Sequence, residues 1–253
     1  MANLDLIKRL NSNYGKNSPI VRETRLFSIN ESLDPDNIQK AISNSMANLG
    51  PVFTQYFDFG LPADVVLLFV DVCGFSTRFD GLDGEEIGEY FDEYYDLVIP
   101  IIYKYGGEID KIMGDGIICV FGPPFQNLSL TENIVKADQC SKEIIKVTKD
   151  TKFASKVAIH SGTINYFKNK TGLYKEFTII GKPLTELFRL ESISIDQRIN
   201  YYDETDIRNY YSELISPSSS FVLRPAEWTH YSKPIANLKG VNYRQFFSIK
   251  HNL

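Results

Sequence analysis

The sequence lacks three features, and each absence excludes a class of protein. Basic residues do not outnumber acidic ones: 27 lysines and arginines stand against 32 aspartates and glutamates, a net charge of −5. The chain therefore has no overall positive surface for nucleic acid or an anionic membrane. No apolar run approaches the length of a membrane span, and the first residues are too polar for a signal peptide. We expect a cytoplasmic protein that binds neither nucleic acid nor membranes.

Cysteine is also scarce. The three cysteines are odd in number and lie in apolar stretches without the short paired spacing of a CxxC motif. This pattern favours reduced residues in the core over a disulfide framework. A chain of 253 residues buries enough surface to fold without disulfides.

Two segments combine apolar strands with a single acid. The run from Val65 to Val72 is apolar on both alternating faces except at Asp71, which predicts a central strand covered on both sides. Further along, Ile109–Met113 and Ile117–Phe121 read as two short strands joined by a glycine-rich turn that carries Asp115. The second segment is therefore a predicted hairpin with an acid at its tip.

The rest of the pattern predicts one α+β domain over residues 63–253, preceded by an extension over residues 1–62 that contains a helix. Amphipathic helices are expected near 83–102, 131–149 and 182–194, with further strands near 156–167, 174–181 and 238–250. Residues 200–230 match no element that we can assign.

The two acids are candidates for metal binding. Neighbouring central strands would bring Asp71 and Asp115 within a few ångströms, where two unpaired carboxylates repel each other. Hard oxygen ligands select Mg²⁺ or Mn²⁺, and a pair of such ions supports an in-line phosphoryl displacement. The N–H groups of the turn from Cys73 to Ser76 can hold phosphates. The alternative is structural: Asp71 caps the next helix and Asp115 belongs to a favoured Asp-Gly turn.

At these segments the sequence resembles class III nucleotide cyclases, the adenylate and guanylate cyclase catalytic domain. The matching segments are LLFVDVCGFS (67–76), GGEIDKIMGDGIICVFG (106–122), VAIHSG (157–162), EFTIIGKPLTELFRLE (176–191) and LKG (238–240). They follow the order and spacing of the family. The resemblance implies a ferredoxin-like βαββαβ fold with extra C-terminal strands and an N-terminal helical extension. It also implies a homodimer that converts a nucleoside triphosphate to a 3′,5′-cyclic nucleotide and pyrophosphate.

The resemblance also assigns roles to individual residues. Two metal ions would bind Asp71, Asp115 and the main-chain carbonyl of Val72. Arg189 matches an arginine that stabilises the transition-state phosphate, and Lys239 lies near a triphosphate-binding lysine. The remaining substrate-binding candidates are the base-selecting pair Lys111 and Thr178 and the phosphate-turn residues Gly74, Phe75 and Ser76.

Three departures from the family pattern lie on the third predicted helix. Thr185 replaces an asparagine that orients the ribose, and Leu187 and Phe188 replace small residues. These changes suggest a rebuilt base pocket, and they favour a smaller base. With no sensor domain recognisable in the chain, we expect a stand-alone enzyme similar to the Pycsar pyrimidine cyclases, which make cyclic UMP or cyclic CMP in bacterial antiphage defence. UTP or CTP is then the favoured substrate.

Two other readings stay open. The Lys111 and Thr178 pair resembles the bacterial adenylate cyclase pattern, which favours ATP. The missing asparagine at Thr185 would also suit an inactive nucleotide-binding scaffold, although the retained acids and Arg189 argue against it. We expect His160 to be a core strand residue held by a hydrogen bond.

Overall fold

The computed structural model of the protein describes residues 56–57, 59–75, 84–168, 177–215, 228–235 and 238–251. The extension helix and Ser76 lie outside these ranges. Within them, strands and helices follow in the order β1 (Pro62–Val72), α1 (Gly84–Lys104), β2 (Glu108–Met113), β3 (Gly116–Phe121), α2 (Leu130–Thr148), β4 (Ser155–Lys168), β5 (Phe177–Ile180), α3 (Lys182–Ile193), β6 (Ile199–Tyr202), α4 (Asp206–Ile215), β7 (Trp228–Pro234) and β8 (Gln245–His251).

The strands form one sheet in the order β2-β3-β1-β4-β6-β8-β7, and β5 pairs with β4 beside this path. The first four strands pair antiparallel, with α1 joining β1 to β2 and α2 joining β3 to β4. This is the predicted ferredoxin-like βαββαβ unit. The strands after β4 extend the sheet, and β4 and β6 form its parallel pair. The α+β fold class is confirmed.

The strand β1 lies at the centre of the sheet and is covered on both faces. Val66, Leu68 and Val70 pack into the core shared with α1 and α2. Val65 and Leu67 pack into a second core on the opposite face, which contains α3. The run is continuously apolar because both faces of β1 are covered, so no position along it favours a polar side chain.

The C-terminal part corrects the sequence-based prediction. The unassigned residues 200–230 include the end of β6, the helix α4 and the beginning of β7. Of the predicted strand over 238–250, only the part from residue 245 onward is a strand, β8. Residues 246–249 of β8 are all buried, so burial does not alternate along it. The reason is that Phe247 and Ile249 pack in one core and Phe246 in the other, so both faces of β8 are covered here.

The cysteines and the helices of the described residues can be compared with the expectations from composition. All three cysteines, Cys73, Cys119 and Cys140, are buried and free. None of the helices in the described ranges is long and apolar enough to cross a membrane.

The helix α4 is held on α2 by one buried acid. Asp138 on α2 is 1% exposed and accepts hydrogen bonds from the hydroxyls of Tyr210 (2.8 Å) and Tyr211 (2.7 Å). Lys142, one helical turn later, completes the charge balance. Sequence periodicity cannot show this contact because it joins residues that are far apart in the chain.

We predict that Asp138→Ala lowers the free energy of unfolding by about 2 to 4 kcal/mol, because it leaves two tyrosine hydroxyls without an acceptor. Urea denaturation measures the change. The control Asp92→Ala removes an exposed acid from α1 and should change stability by less than about 0.5 kcal/mol. Equal effects in the two variants would contradict the role of Asp138.

Candidate active site

Asp71 and Asp115 meet at one edge of the sheet. Asp71 is the penultimate residue of β1, and Asp115 lies in the two-residue turn between β2 and β3, in which Met113 pairs with Gly116. β3 pairs with β1, which carries this turn to the end of β1. The two carboxyl groups lie close enough for each to influence the pKa of the other.

The electrostatics of the pair are unfavourable for two free carboxylates. Burial, followed by the neighbouring charges of Asp115 and Glu191, raises the pKa of Asp71 to about 7, while Lys156 acts in the opposite direction. Burial also raises the pKa of Asp115. Near neutral pH the protonated and ionised forms of Asp71 are therefore both populated, and an added positive charge would favour the ionised form.

Lys156 and Glu191 complete the cluster, and sequence reasoning assigned a role to neither. Lys156 stands directly opposite Asp71 in the β1–β4 register, with its Nζ 3.3 Å from Asp71 Oδ2 and 2.7 Å from Glu191 Oε1. Burial alone would lower the pKa of Lys156, but the two carboxylates outweigh it and raise that pKa. Lys156 is thus a charged ammonium, and it ties α3 to the end of β1.

The donor set fits a divalent cation. Asp71, Asp115 and Glu191 supply three negative charges when ionised, and Lys156 returns one positive charge. The cluster therefore carries an excess that one Mg²⁺ or Mn²⁺ would neutralise, and its oxygen ligands are those that these ions prefer. Among the described residues, no three acidic, histidine or cysteine side chains are placed to hold a metal ion together. Val72 could add only its main-chain carbonyl, since its side chain has no donor atom.

The turn that carries Asp115 is held from α1. The Tyr95 hydroxyl donates to the carbonyl oxygen of Gly114, which has a positive φ of 61°. Burial, with Asp115 adding to it, raises the pKa of Tyr95 to about 12, so this hydroxyl stays protonated as a donor. Tyr95 also stacks on Phe91 at 5.7 Å between ring centroids. The position of Asp115 therefore depends on the aromatic face of α1.

The two predicted base-selecting positions are linked through Asp110. Lys111 on β2 forms an ion pair with Asp110 (Nζ to Oδ2, 3.0 Å), and the other carboxylate oxygen accepts the N–H of Ile179 on β5 at 3.1 Å. Thr178 is the neighbour of Ile179 and pairs with Phe167 in the β4–β5 register. This hydrogen bond joins β2 to β5, the two strands that carry the predicted base-selecting residues.

The helix α3 presents two faces. Thr185 and Arg189 are one turn apart and exposed, whereas Leu187 is completely buried in the second core. Phe188 is half-buried and packs edge-on against Phe69 at 5.6 Å between centroids. The expectation that Leu187 lines a rebuilt base pocket is therefore wrong, since this residue faces the sheet.

The turn after β1 is only partly available to a ligand. Gly74 is exposed with a φ of 65°, and the Phe75 ring packs on Tyr90 and Phe91. The N–H of Cys73 donates to the carbonyl of Ala154 at 2.8 Å, so this amide cannot bind a phosphate.

The connection that carries Lys239 leads to a different edge of the sheet from the one that carries Asp71. β8 runs parallel to β1, because β1 and β4 are antiparallel, β4 and β6 parallel, and β6 and β8 antiparallel. The connection from β7 to β8, which carries the exposed Lys239, therefore leads into the edge opposite to the C-terminal end of β1.

Comparison with known proteins identifies the fold. No family model matches the chain. Adenylate cyclase 1 of Rhizobium meliloti (strain 1021) is 21% identical over 140 residues, which cover 53% of this chain but only 21% of that protein. The chain thus spans about a fifth of this curated relative.

Two solved structures illustrate the match. The catalytic core of a rhodopsin-guanylyl cyclase with converted specificity, in complex with ATPαS, has a TM-score of 0.60 at 16% identity and covers 76% of this chain and 98% of that chain. The adenylyl cyclase CyaB from P. aeruginosa has a TM-score of 0.58 at 20% identity, with 76% and 96% covered. The chain has the fold of the class III adenylyl and guanylyl cyclase catalytic domains, as its motifs predicted.

We predict that Gly116→Ala disturbs the acid pair and destabilises the protein. A Cβ at this position would lie 2.7 Å from Phe69 Cε2 and 3.5 Å from Asp71 Oδ1, so the Phe69 ring must move. The free energy of unfolding should fall by about 1 to 3 kcal/mol in thermal or urea denaturation. The control Gly88→Ala, in α1 with nothing within 4 Å, should instead raise it by up to about 1 kcal/mol. Equal effects would contradict the close packing at Gly116.

Proposed function

We propose that the protein is a nucleotide cyclase, which converts a nucleoside triphosphate to a 3′,5′-cyclic mononucleotide and pyrophosphate. The ribose 3′-hydroxyl releases its proton to solvent and its oxygen attacks the α-phosphorus. The new phosphoester bond closes the ring, and the bond from the α-phosphorus to the bridging oxygen breaks and releases pyrophosphate. The observation that carries this proposal is the convergence of Asp71 and Asp115 with Lys156 in a chain of this fold.

The acids supply the binding site for metal. Asp71, Asp115 and the carbonyl of Val72 would hold two Mg²⁺ or Mn²⁺ ions per site, which when bound would neutralise phosphate charge and favour ionisation of the attacking hydroxyl. Lys156 keeps the Asp71 carboxylate in place through its ion pair at 3.3 Å. Oxygens of the triphosphate would supply further ligands.

A second chain supplies the rest of the site. Thr185 and Arg189 project from the exposed face of α3, and Lys239 lies toward the edge of the sheet opposite to Asp71. This arrangement supports a homodimer in which the acids of one chain face these residues of its partner. Arg189 then stabilises the negative charge that develops on the reacting phosphate, and Thr185 orients the ribose.

The base preference rests on few residues. Thr185 and the half-buried Phe188 are the remaining support for a pyrimidine, UTP or CTP, since Leu187 belongs to the core. Lys111 is a donor beside the β5 strand of Thr178, and it supports ATP as the alternative. The role in antiphage signalling stays a prediction from the resemblance.

The decisive experiment is incubation of the purified protein with Mn²⁺ and each of ATP, GTP, CTP and UTP, followed by chromatographic detection of cyclic products. Release of one cyclic nucleotide with stoichiometric pyrophosphate supports the proposal and names the base. If the protein binds a nucleotide but turns over none of the four triphosphates, the result would instead favour an inactive nucleotide-binding scaffold.

We predict that Asp71→Asn and Asp115→Asn abolish cyclisation and leave folding stability unchanged or slightly higher, because each removes a repelling charge without changing side-chain volume. Activity assays and thermal denaturation measure the two effects. Asp64→Asn is the control, since Asp64 is exposed at the opposite end of β1 and should not affect turnover. Full activity in either Asp71→Asn or Asp115→Asn refutes the metal assignment.

We also predict that Arg189→Ala lowers kcat by about 10²-fold or more, the usual cost of losing one transition-state donor. Lys146→Ala removes an exposed cation from α2, on the other face of the sheet, and should leave kcat unchanged.

Mixing Arg189→Ala with Asp71→Ala tests whether the site is shared. A mixed dimer has one intact site, so a random mixture should recover up to about a quarter of wild-type activity. Heterodimers without any recovery would refute the shared site.

A further inference from the structure

Glu186 is a buried acid on α3 that no step of the proposed reaction uses. It is 3% exposed and lies on the helix face that packs against the sheet, beside Leu187 and Leu190. A carboxylate at such a position is costly, and an apolar side chain would be at least as stable there. Its presence calls for a reason other than stability.

Three contacts hold this residue in one orientation. His160 Nε2 on β4 lies 3.1 Å from Glu186 Oε2, and Lys182 Nζ lies 3.1 Å from Oε1. The hydroxyl of Tyr202 on β6 donates to the main-chain carbonyl of Glu186 at 2.9 Å. Burial would raise the pKa of Glu186, but the contacts with His160 and Lys182 outweigh it and lower that pKa. Glu186 is thus an ionised group bound from two strands.

His160 is committed to this contact. It is 1% exposed, and the rings of Tyr202 and Tyr243 meet it edge-on at 5.3 and 5.6 Å between centroids. Its Nδ1 is buried and has no hydrogen-bond partner among the described residues. The single polar link from the His160 ring therefore runs to α3, and the aromatic rings leave it little freedom to turn elsewhere.

The position of Glu186 in the helix determines what this link controls. Successive helical residues are about 100° apart around the axis, so a fixed inward direction at Glu186 fixes the outward direction of Thr185 and Arg189. We propose that His160 and Glu186 form a positioning pair that sets the rotation of α3, so that Thr185 and Arg189 meet the nucleotide bound by a partner chain. This inference rests on the proposed cyclase function.

The first test replaces the whole pair by apolar residues. His160→Phe/Glu186→Leu leaves no buried charge without a partner and should fold with near wild-type stability. We expect kcat to fall by about 10-fold to 10²-fold, the range for misplacement of reacting groups, with KM for the nucleotide changed less than about twofold. Asp138→Asn is the control, because it alters a buried acid on the other face of the sheet and should lower stability without changing kcat.

Two results of this test would overturn the proposal. One is a stable double variant with wild-type kcat. The other is a loss confined to KM. The single variant Glu186→Gln supplies a graded measurement, because it keeps the size of the side chain and its hydrogen-bonding capacity while it loses the charge. It should retain more activity than the double variant, and the reverse order would contradict a positioning role.

The second test identifies the half of the shared site that is damaged. If the pair positions Arg189, the double variant should regain activity when mixed with Asp71→Ala, whose α3 is intact, and should not regain it when mixed with Arg189→Ala. Recovery with Arg189→Ala would overturn the positioning proposal.

The proposed function fails in a different way. A wild-type protein without cyclisation refutes the reaction itself. Failure of Asp71→Ala and Arg189→Ala to complement each other in a heterodimer refutes the shared site, and with it the direction in which α3 is proposed to act. The positioning role alone is refuted if Asp71→Ala and Arg189→Ala complement each other, but the double variant regains activity with Arg189→Ala or fails to regain it with Asp71→Ala.

Discussion

The repulsion between Asp71 and Asp115 is the constraint on which the site depends. The sheet holds both side chains at one edge, since Asp71 ends a strand covered on both faces and Asp115 lies in a turn of only two residues. Neither can move away without disturbing the core or the turn. The ammonium group of Lys156 neutralises part of the negative charge at this edge. Under the proposed function, a bound cation neutralises the remainder, and acids that cost stability in the free chain are the ones that bind metal.

The helix α3 connects this edge to the other functional groups. Its last turn carries Glu191, which shares Lys156 with Asp71, while its middle carries Glu186 in contact with His160. Two polar contacts from α3 to β4, the buried one of Glu186 with His160 and the half-buried one of Glu191 with Lys156, constrain the rotation of the helix and its position along the strand. A change at either contact would therefore shift Arg189, which lies between them, and Thr185, which adjoins Glu186.

The sequence predicted what depends on local pattern. The apolar run of β1, the hairpin around Asp115 and the amphipathic helices follow from periodicity and turn residues. Lys156 could not be assigned in the same way, because its place opposite Asp71 depends on the register between β1 and β4. Leu187 was misassigned because a comparison of residue size does not reveal which face of α3 packs on the sheet. The helix α4 was missed although Ile207, Tyr211 and Leu214 recur at helical spacing, and what the local pattern does not show is its contact with Asp138.

The direction of the strands supports the proposed two-chain site. Asp71 lies at the C-terminal end of β1, and the connection that carries Lys239 leads into the opposite edge of the same sheet. A site that needs both residues cannot be assembled by shifting one loop, since the core separates the two edges. Two chains related by a twofold axis, with their sheets in opposite directions, bring the acid edge of each beside the lysine edge of the other. Under the proposed function, such a pairing would create two equivalent sites, with the metal ligands of one chain facing Arg189 of the other.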